Sequence, residues 1–173
     1  MRIVDLDVHE PTDAQIMSWY GWMTAPDQLR WEYDDSWARA PTTPEQEVAA
    51  FWRRRAEQES QNHSFWALAG DAVVGHAGIN RFRGPAREHC AEIGYGVAAA
   101  FARRGIGTRL VMAAMTKARQ LGLSRLEADC FDDNHASIGL LRKCGFREEG
   151  RRFGAIRKDG RLRDQRVFGL MLC

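Results

Sequence analysis

The chain has 173 residues, of which 45% are hydrophobic and 28% charged, with a formal net charge of +2; this length suits one compact core over residues 1–173 rather than two. Without a run of about eighteen apolar residues or a basic-then-apolar leader, the sequence marks no membrane span or secretory signal, so a soluble, cytoplasmic protein is expected. Cys90, Cys130, Cys144 and Cys173 are widely scattered, with no short-spaced pair and no histidine at ligand spacing beside them, which argues against a zinc site or a disulfide framework, and no metal is expected.

The first strand is predicted from Arg2 to Val8, where apolar and charged residues alternate. Thr12 or Asp13 can cap a helix running to Met23, and Pro44, followed by Glu45 and Glu47, opens a second that ends near Glu59. An irregular segment rich in acid and tryptophan lies between them. Runs at 64–68 and 72–80 flank Gly70-Asp71 and read as a hairpin. Then follow a strand at 91–97, a helix from Ile106 to Leu121 ending at Gly122, a strand at 125–130 and a short helix from Asn134 to Lys143 ending at Gly145. The chain closes with a hairpin, 147–156 and 165–172, around Lys158-Asp159-Gly160. This order gives an α/β fold with a mixed sheet, in which the strand-helix-strand unit at 91–130 supplies a parallel pair. The ligand is expected there.

Residues 1–60 carry 12 Asp/Glu against 6 Lys/Arg, and residues 61–173 carry 11 against 19. The basic half lacks an aromatic stacking platform, so nucleic acid is set aside in favour of a phosphate-bearing small ligand. Arg103-Arg104-Gly105-Ile106-Gly107-Thr108 fits that ligand. A helix starting after Gly105 leaves its first N–H groups without carbonyl partners, and its dipole favours an anion there. Thr108 can add a hydroxyl, and Arg103 and Arg104 add positive charge at the rim. Neither a Gly-Lys-Ser/Thr loop nor a three-glycine dinucleotide fingerprint is present.

The run Ala91-Glu92-Ile93-Gly94-Tyr95-Gly96-Val97, the Arg103–Leu110 segment, Asn134-His135-Ala136-Ser137 and the Gly145-Phe146 ending together resemble the GCN5-related N-acetyltransferase (GNAT) family. The resemblance covers residues 64–172 and is greatest to the branch with ribosomal-protein N-terminal and spermidine acetyltransferases. It implies a mixed, mostly antiparallel sheet of about seven strands, about four helices and a splayed central parallel pair. It further implies an acetyl-coenzyme A-dependent N-acetyltransferase working by direct attack in a ternary complex. Residues 64–172 would then form the cofactor-binding core and final hairpin, and residues 1–60 would shape the acceptor site. Many relatives pair as dimers, so a homodimer is a further expectation.

By the same resemblance, Tyr95, Gly96 and Val97 run beside the pantetheine arm, with the Val97 N–H near the thioester carbonyl, and Asn134 contacts that arm. One position departs from the pattern: Ala102 stands where the family has Gln or Arg. Leu141 replaces the helix tyrosine that often protonates the leaving thiolate, whereas Ser137 matches a serine of the ribosomal-protein branch. Ile156 replaces a glutamate found in some members of that branch. Glu92, acting through water, is the favoured base; Asp129, Glu127 and Tyr95 are the other candidates. An amine of pKa near 10.4 costs about 4.6 kcal/mol to neutralise at pH 7, and one near 7.8 about 1 kcal/mol.

Trp31, Glu32, Tyr33, Asp34 and Asp35 lie where the family binds its acceptor. Their carboxylates and rings suit a cation such as a polyamine, an aminoglycoside-like amine or a peptide amino terminus. Two alternatives stay open here: an acidic loop anchored by buried tryptophans, and a non-catalytic acyl-coenzyme A-binding module.

Overall fold

A computed structural model describes residues 1–33, 43–58, 62–81 and 84–172. The elements run β1 (Arg2–Asp5), α1 (Asp13–Met23), α2 (Pro26–Leu29), α3 (Pro44–Gln58), β2 (Asn62–Ala69), β3 (Ala72–Arg81), β4 (Cys90–Val97), α4 (Ile106–Gln120), β5 (Arg125–Phe131), α5 (His135–Lys143), β6 (Arg147–Lys158) and β7 (Arg161–Met171). The sequence reading missed α2, a single turn opened by Pro26, and short 3₁₀ turns at Pro85–Arg87 and Ala99–Phe101. Turns this short carry no apolar periodicity, so the pattern that reveals longer helices is absent.

Local chemistry explains several boundaries. Thr12 and Gln15 cap α1 reciprocally, each side chain accepting from the other's backbone N–H at 3.2 Å, an arrangement worth about 1 kcal/mol. The last hairpin turns on Asp159 and Gly160 alone, both at positive φ. A two-residue turn of this hand matches the twist of the strands and lets them pair close to the turn, so β7 begins at Arg161, earlier than the predicted 165.

The seven strands form one sheet in the order β1-β2-β3-β4-β5-β7-β6. Every neighbouring pair is antiparallel except β4 and β5. Their parallel pairing is confined to Cys90–Glu92 against Arg125–Glu127. Beyond that point β4 continues to Val97 and β5 to Phe131 without a ladder between them, so the two strands part.

The sheet separates two apolar layers. On one face Ala91 and Ile93 of β4 and Leu126, Ala128 and Cys130 of β5 meet Ile106, Leu110, Val111, Ala114 and Ala118 of α4 and Ile138 and Leu141 of α5. The α4 positions follow the spacing of one helix stripe. On the other face Ile16 of α1 packs with Val4, Leu6, Trp66, Leu68 and Val73, flanked by Trp19, Phe51 and Trp52. Strand alternation therefore sends Tyr95 and Val97 toward α4 and α5, and Glu92, Gly94 and Gly96 toward α1.

Candidate functional site

The cradle forms where the chain leaves β4 and enters α4. Gly105, the residue before the helix, has φ 75° and Arg103 has φ 62°, and no side chain caps this end of α4. The first helical N–H groups are thereby left for an anion. Arg103 and Arg104 are exposed at the rim; Arg104 lies 5.2 Å over the Phe101 ring and donates to the Ala100 carbonyl at 3.2 Å. The two glycines serve different ends. Gly105 supplies the left-handed backbone, whereas a Cβ on Gly107 would come within 2.5 Å of Leu140 Cδ1. Gly107 thus lets α4 approach α5.

A second feature is the gap between β4 and β5. Past Glu92, the β4 backbone has no ladder partner toward β5 among the described residues. Buried backbone groups need partners, so this edge fits a slender ligand with amide groups of its own. The gap leads from the cradle into the sheet, a course that suits the pantetheine arm of coenzyme A with its pyrophosphate at α4. No group of three or more His, Cys, Asp or Glu positioned to hold a metal occurs among the described residues.

On the α5 side of the gap, the Tyr95 hydroxyl lies 2.6 Å from Ser137 Oγ. Asn134 caps α5, its Oδ1 accepting from the Ser137 N–H at 3.1 Å, which fixes the serine in the first turn. Burial pushes the Tyr95 hydroxyl well above the usual phenol range, so it stays protonated. Cys130 Sγ shares this environment, and burial raises it to about 11, which keeps it a thiol. Leu141, where many relatives have tyrosine, is wholly buried in the α4–α5 core.

On the α1 side, Glu92, Glu127 and Asp129 share one sheet face, with Glu92 and Glu127 in register. Burial first, and then the charges of Asp129 and Glu127, raise the Glu92 pKa above the ordinary carboxylate value. Burial also raises Asp129. Glu127 differs: partial burial opposes ionisation, but hydrogen bonds from Arg125 at 3.0 Å and Arg87 at 2.7 Å lower it below the usual value. The three candidates thus separate into a committed ion-pair partner, Glu127, and two carboxylates whose proton affinity is increased. Ile156 sits on β6 opposite Arg163 and carries no proton-transfer chemistry.

The predicted acceptor segment is described as far as Tyr33; Asp34 and Asp35 lie outside the described residues. The Trp31 ring does meet cations, but they are the chain's own: Arg30 at 4.4 Å and Arg163 at 5.6 Å from the ring centre. Glu32 accepts from Gln28 Nε2 at 2.9 Å, and burial raises its pKa. Tyr33 stands edge-on to Phe131 at 4.9 Å, with its hydroxyl buried beside Asp129 and Gln165. This brings Glu32 and Tyr33 to the sheet face that carries Glu92 and Asp129. Sequence reasoning missed Gly94 as a part of the site. A Cβ there would meet nothing within 4 Å, which leaves the strand surface open beside Glu92, whereas Gly96 is roofed by Trp22 and Gln28. The signal was available: glycines two apart on a strand point to one face.

Residues 24–146 match the family model described as Acetyltransferase (GNAT) family. The chain is 38% identical over 113 residues to the N-alpha-acetyltransferase RimI of Mycobacterium tuberculosis, a span of 65% of this chain and 68% of that protein. Its fold is similar to that of a ribosomal-protein-alanine N-acetyltransferase from Brucella melitensis, with 22% identity, TM-score 0.78 and 99% of both chains covered. It is also similar to RimL solved in complex with coenzyme A, with 21% identity, TM-score 0.75, and 92% of this chain and 90% of that one covered.

Proposed function

Because the chain belongs to the GNAT acetyltransferase family and is an acetyl-coenzyme A-dependent N-acetyltransferase, we propose that a primary amine reaches the thioester over Gly94, with Glu92 as its base. The amine nitrogen attacks the acetyl carbonyl directly, the N–C bond forms, and the C–S bond breaks. Acetyl-coenzyme A supplies the activated acyl group; the protein supplies position, proton transfer and charge stabilisation.

The observation that carries this reading is the opening at the β4–β5 gap between two kinds of proton-transfer group. The hydroxyls of Tyr95 and Ser137 lie on one side, and the raised carboxylates of Glu92 and Asp129 on the other. A carboxylate with raised proton affinity is a better base than an ordinary one, because its affinity moves toward that of the proton it removes. Glu92 takes the amine proton through one water. Ser137 Oγ, hydrogen-bonded to the Tyr95 hydroxyl that burial keeps protonated, relays a proton to the leaving thiolate, and a proton from solvent water restores the hydroxyl pair. In this scheme the hydroxyl pair does the work of the tyrosine replaced by Leu141. The Val97 N–H, on the strand edge facing the gap, stabilises negative charge on the carbonyl oxygen. Arg103, Arg104, Gly105, Ile106, Gly107 and Thr108 hold the pyrophosphate, while Tyr95, Gly96 and Asn134 border the pantetheine arm.

The acceptor presents its amine as a cation to Glu32, Tyr33, Glu92 and Asp129, as a polyamine, an aminoglycoside-like amine or a peptide amino terminus does. Trp31 shapes the wall of this entrance through its arginine contacts. The test is release of free thiol from acetyl-coenzyme A with a panel of such amines. Amine-stimulated release that Glu92→Gln suppresses is the expected result. Tight cofactor binding without stimulated release would instead make the chain a non-catalytic acyl-coenzyme A-binding module.

A further inference from the structure

We propose that a cavity of about 310 Å³ under α1 and α3 is the pocket for the body of the acceptor, and that it selects a small amine carrying an acidic group. This narrows the acceptor class and rests on the acetyl-transfer reading above. The cavity is continuous with the proposed amine path: Gly78 and Gly94 form part of its lining, and Gly94 lies two residues beyond Glu92 on the same sheet face. Its volume is at the small end of the roughly 300–1,000 Å³ typical of small-molecule sites.

The walls are planar and apolar. Trp19 stacks on Trp66 with ring centres 6.0 Å apart, and Phe51 stands 5.5 Å from Trp66. His76 is held neutral in its wall: Nδ1 accepts from Trp19 Nε1 at 2.9 Å, and enclosure lowers its pKa to about 4. The proton therefore resides on Nε2, which has no protein acceptor among the described residues and is available as a donor.

The charges in the lining do not balance. Asp7 is its carboxylate, and it already meets Lys117 Nζ at 2.6 Å and His63 Nδ1 at 2.6 Å. Arg55 is turned to the neutral Leu6 carbonyl. Arg54 meets no carboxylate, and neither does Arg55, among the described residues. Two guanidiniums beside aromatic walls are the complement of a carboxylate or phosphonate on an apolar body. The acceptor is accordingly two-ended: its ammonium is drawn to Glu92 and Asp129, and its anion to Arg54. A polyamine satisfies only the first end.

The test compares wild type with Arg54→Gln and Arg54→Lys, using phenylalanine, β-alanine and longer ω-amino acids, each against its carboxamide, with spermidine as the all-cationic arm. Wild type is expected to favour at least one acid over its amide by roughly 10- to 100-fold in kcat/KM, the scale of one charge-assisted hydrogen bond. Arg54→Gln should erase that preference through KM, with acetyl-coenzyme A affinity unchanged, and Arg54→Lys should restore part of it. Equal use of acids and amides, a preference for spermidine, or a preference that survives Arg54→Gln would overturn the pocket assignment while leaving acetyl transfer intact. Cofactor binding with no release from any amine would overturn both.

Discussion

Replacing Glu92 with Gln should lower activity and raise stability at the same time. Glu92 faces Glu127 in register across the parallel pair and has Asp129 nearby. Burial and these like charges raise its folded pKa above 4.5, against the partial compensation of Arg152 and Arg87. A raised folded pKa means that the folded state holds the proton more tightly than the unfolded chain. The group is therefore most favourable to folding below about pH 4.5, and that contribution is lost as pH rises through the folded value. At pH 7 the ionised carboxylate is a net cost, of the order of one like-charged cross-strand pair, about 0.2–1 kcal/mol. Removing the charge should stabilise by that amount, a rise of roughly 0.5–3 °C in Tm for a chain of this size. Losing a general base should cost about 10²–10⁴ in kcat. Thermal melts at pH 7 and pH 4, beside thiol-release kinetics across pH, measure both. The stability gain should vanish at pH 4, where wild-type Glu92 is protonated, and the wild-type rate should fall toward acid as the base is titrated. A neutral-pH loss of stability would refute the electrostatic argument, and unchanged turnover would remove Glu92 from the chemistry.

The hydroxyl pair gives a second prediction: Ser137→Ala and Tyr95→Phe should each slow turnover about 10- to 100-fold with coenzyme A affinity preserved, and their combination should be no worse than the poorer single variant. Additive losses would show two independent roles. At the cradle, Gly105→Ala should destabilise by about 1–2 kcal/mol through its left-handed backbone. Gly107→Val should cost about 1–3 kcal/mol by overpacking and weaken coenzyme A binding. Leu140→Ala in the Gly107→Val background should recover part of the urea midpoint, and failure to do so would place the clash elsewhere. Lys117→Met should lose about 0.5–1 kcal/mol at neutral pH, since Lys117 meets Asp5 at 3.1 Å and Asp7 at 2.6 Å. Partial burial opposes ionisation of Asp7, but Lys117 and His63 together hold its pKa below the ordinary value, so that contribution is lost as pH falls through the lowered value. A constant deficit in acid melts would contradict it.

Much of this protein was legible in the sequence because the signals are local. Strand alternation, the helix stripe of α4, the Asp159-Gly160 turn and the cradle between Arg103 and Thr108 each depend on a few adjacent residues and their backbone preferences. The three carboxylates could likewise be assigned to neighbouring strands. Ranking them required their partners: Arg125 and Arg87 claim Glu127, and these come from β5 itself and from the turn before β4. The meeting of Tyr95 with Ser137, 42 residues apart, was decided by α5 folding over the β4–β5 gap. The steric demand on Gly107 comes from Leu140, which α5 brings beside it. The aromatic segment fitted a cation on composition, yet the fold placed Arg30 and Arg163 against Trp31. Sequence alone determined the longer elements, the glycine-bounded start of α4 and the family resemblance, since these are written in short-range order. Proton affinities, the reason for Gly107 and the charge of the cavity were decided by tertiary structure, because burial and electrostatics depend on residues that become neighbours only on folding.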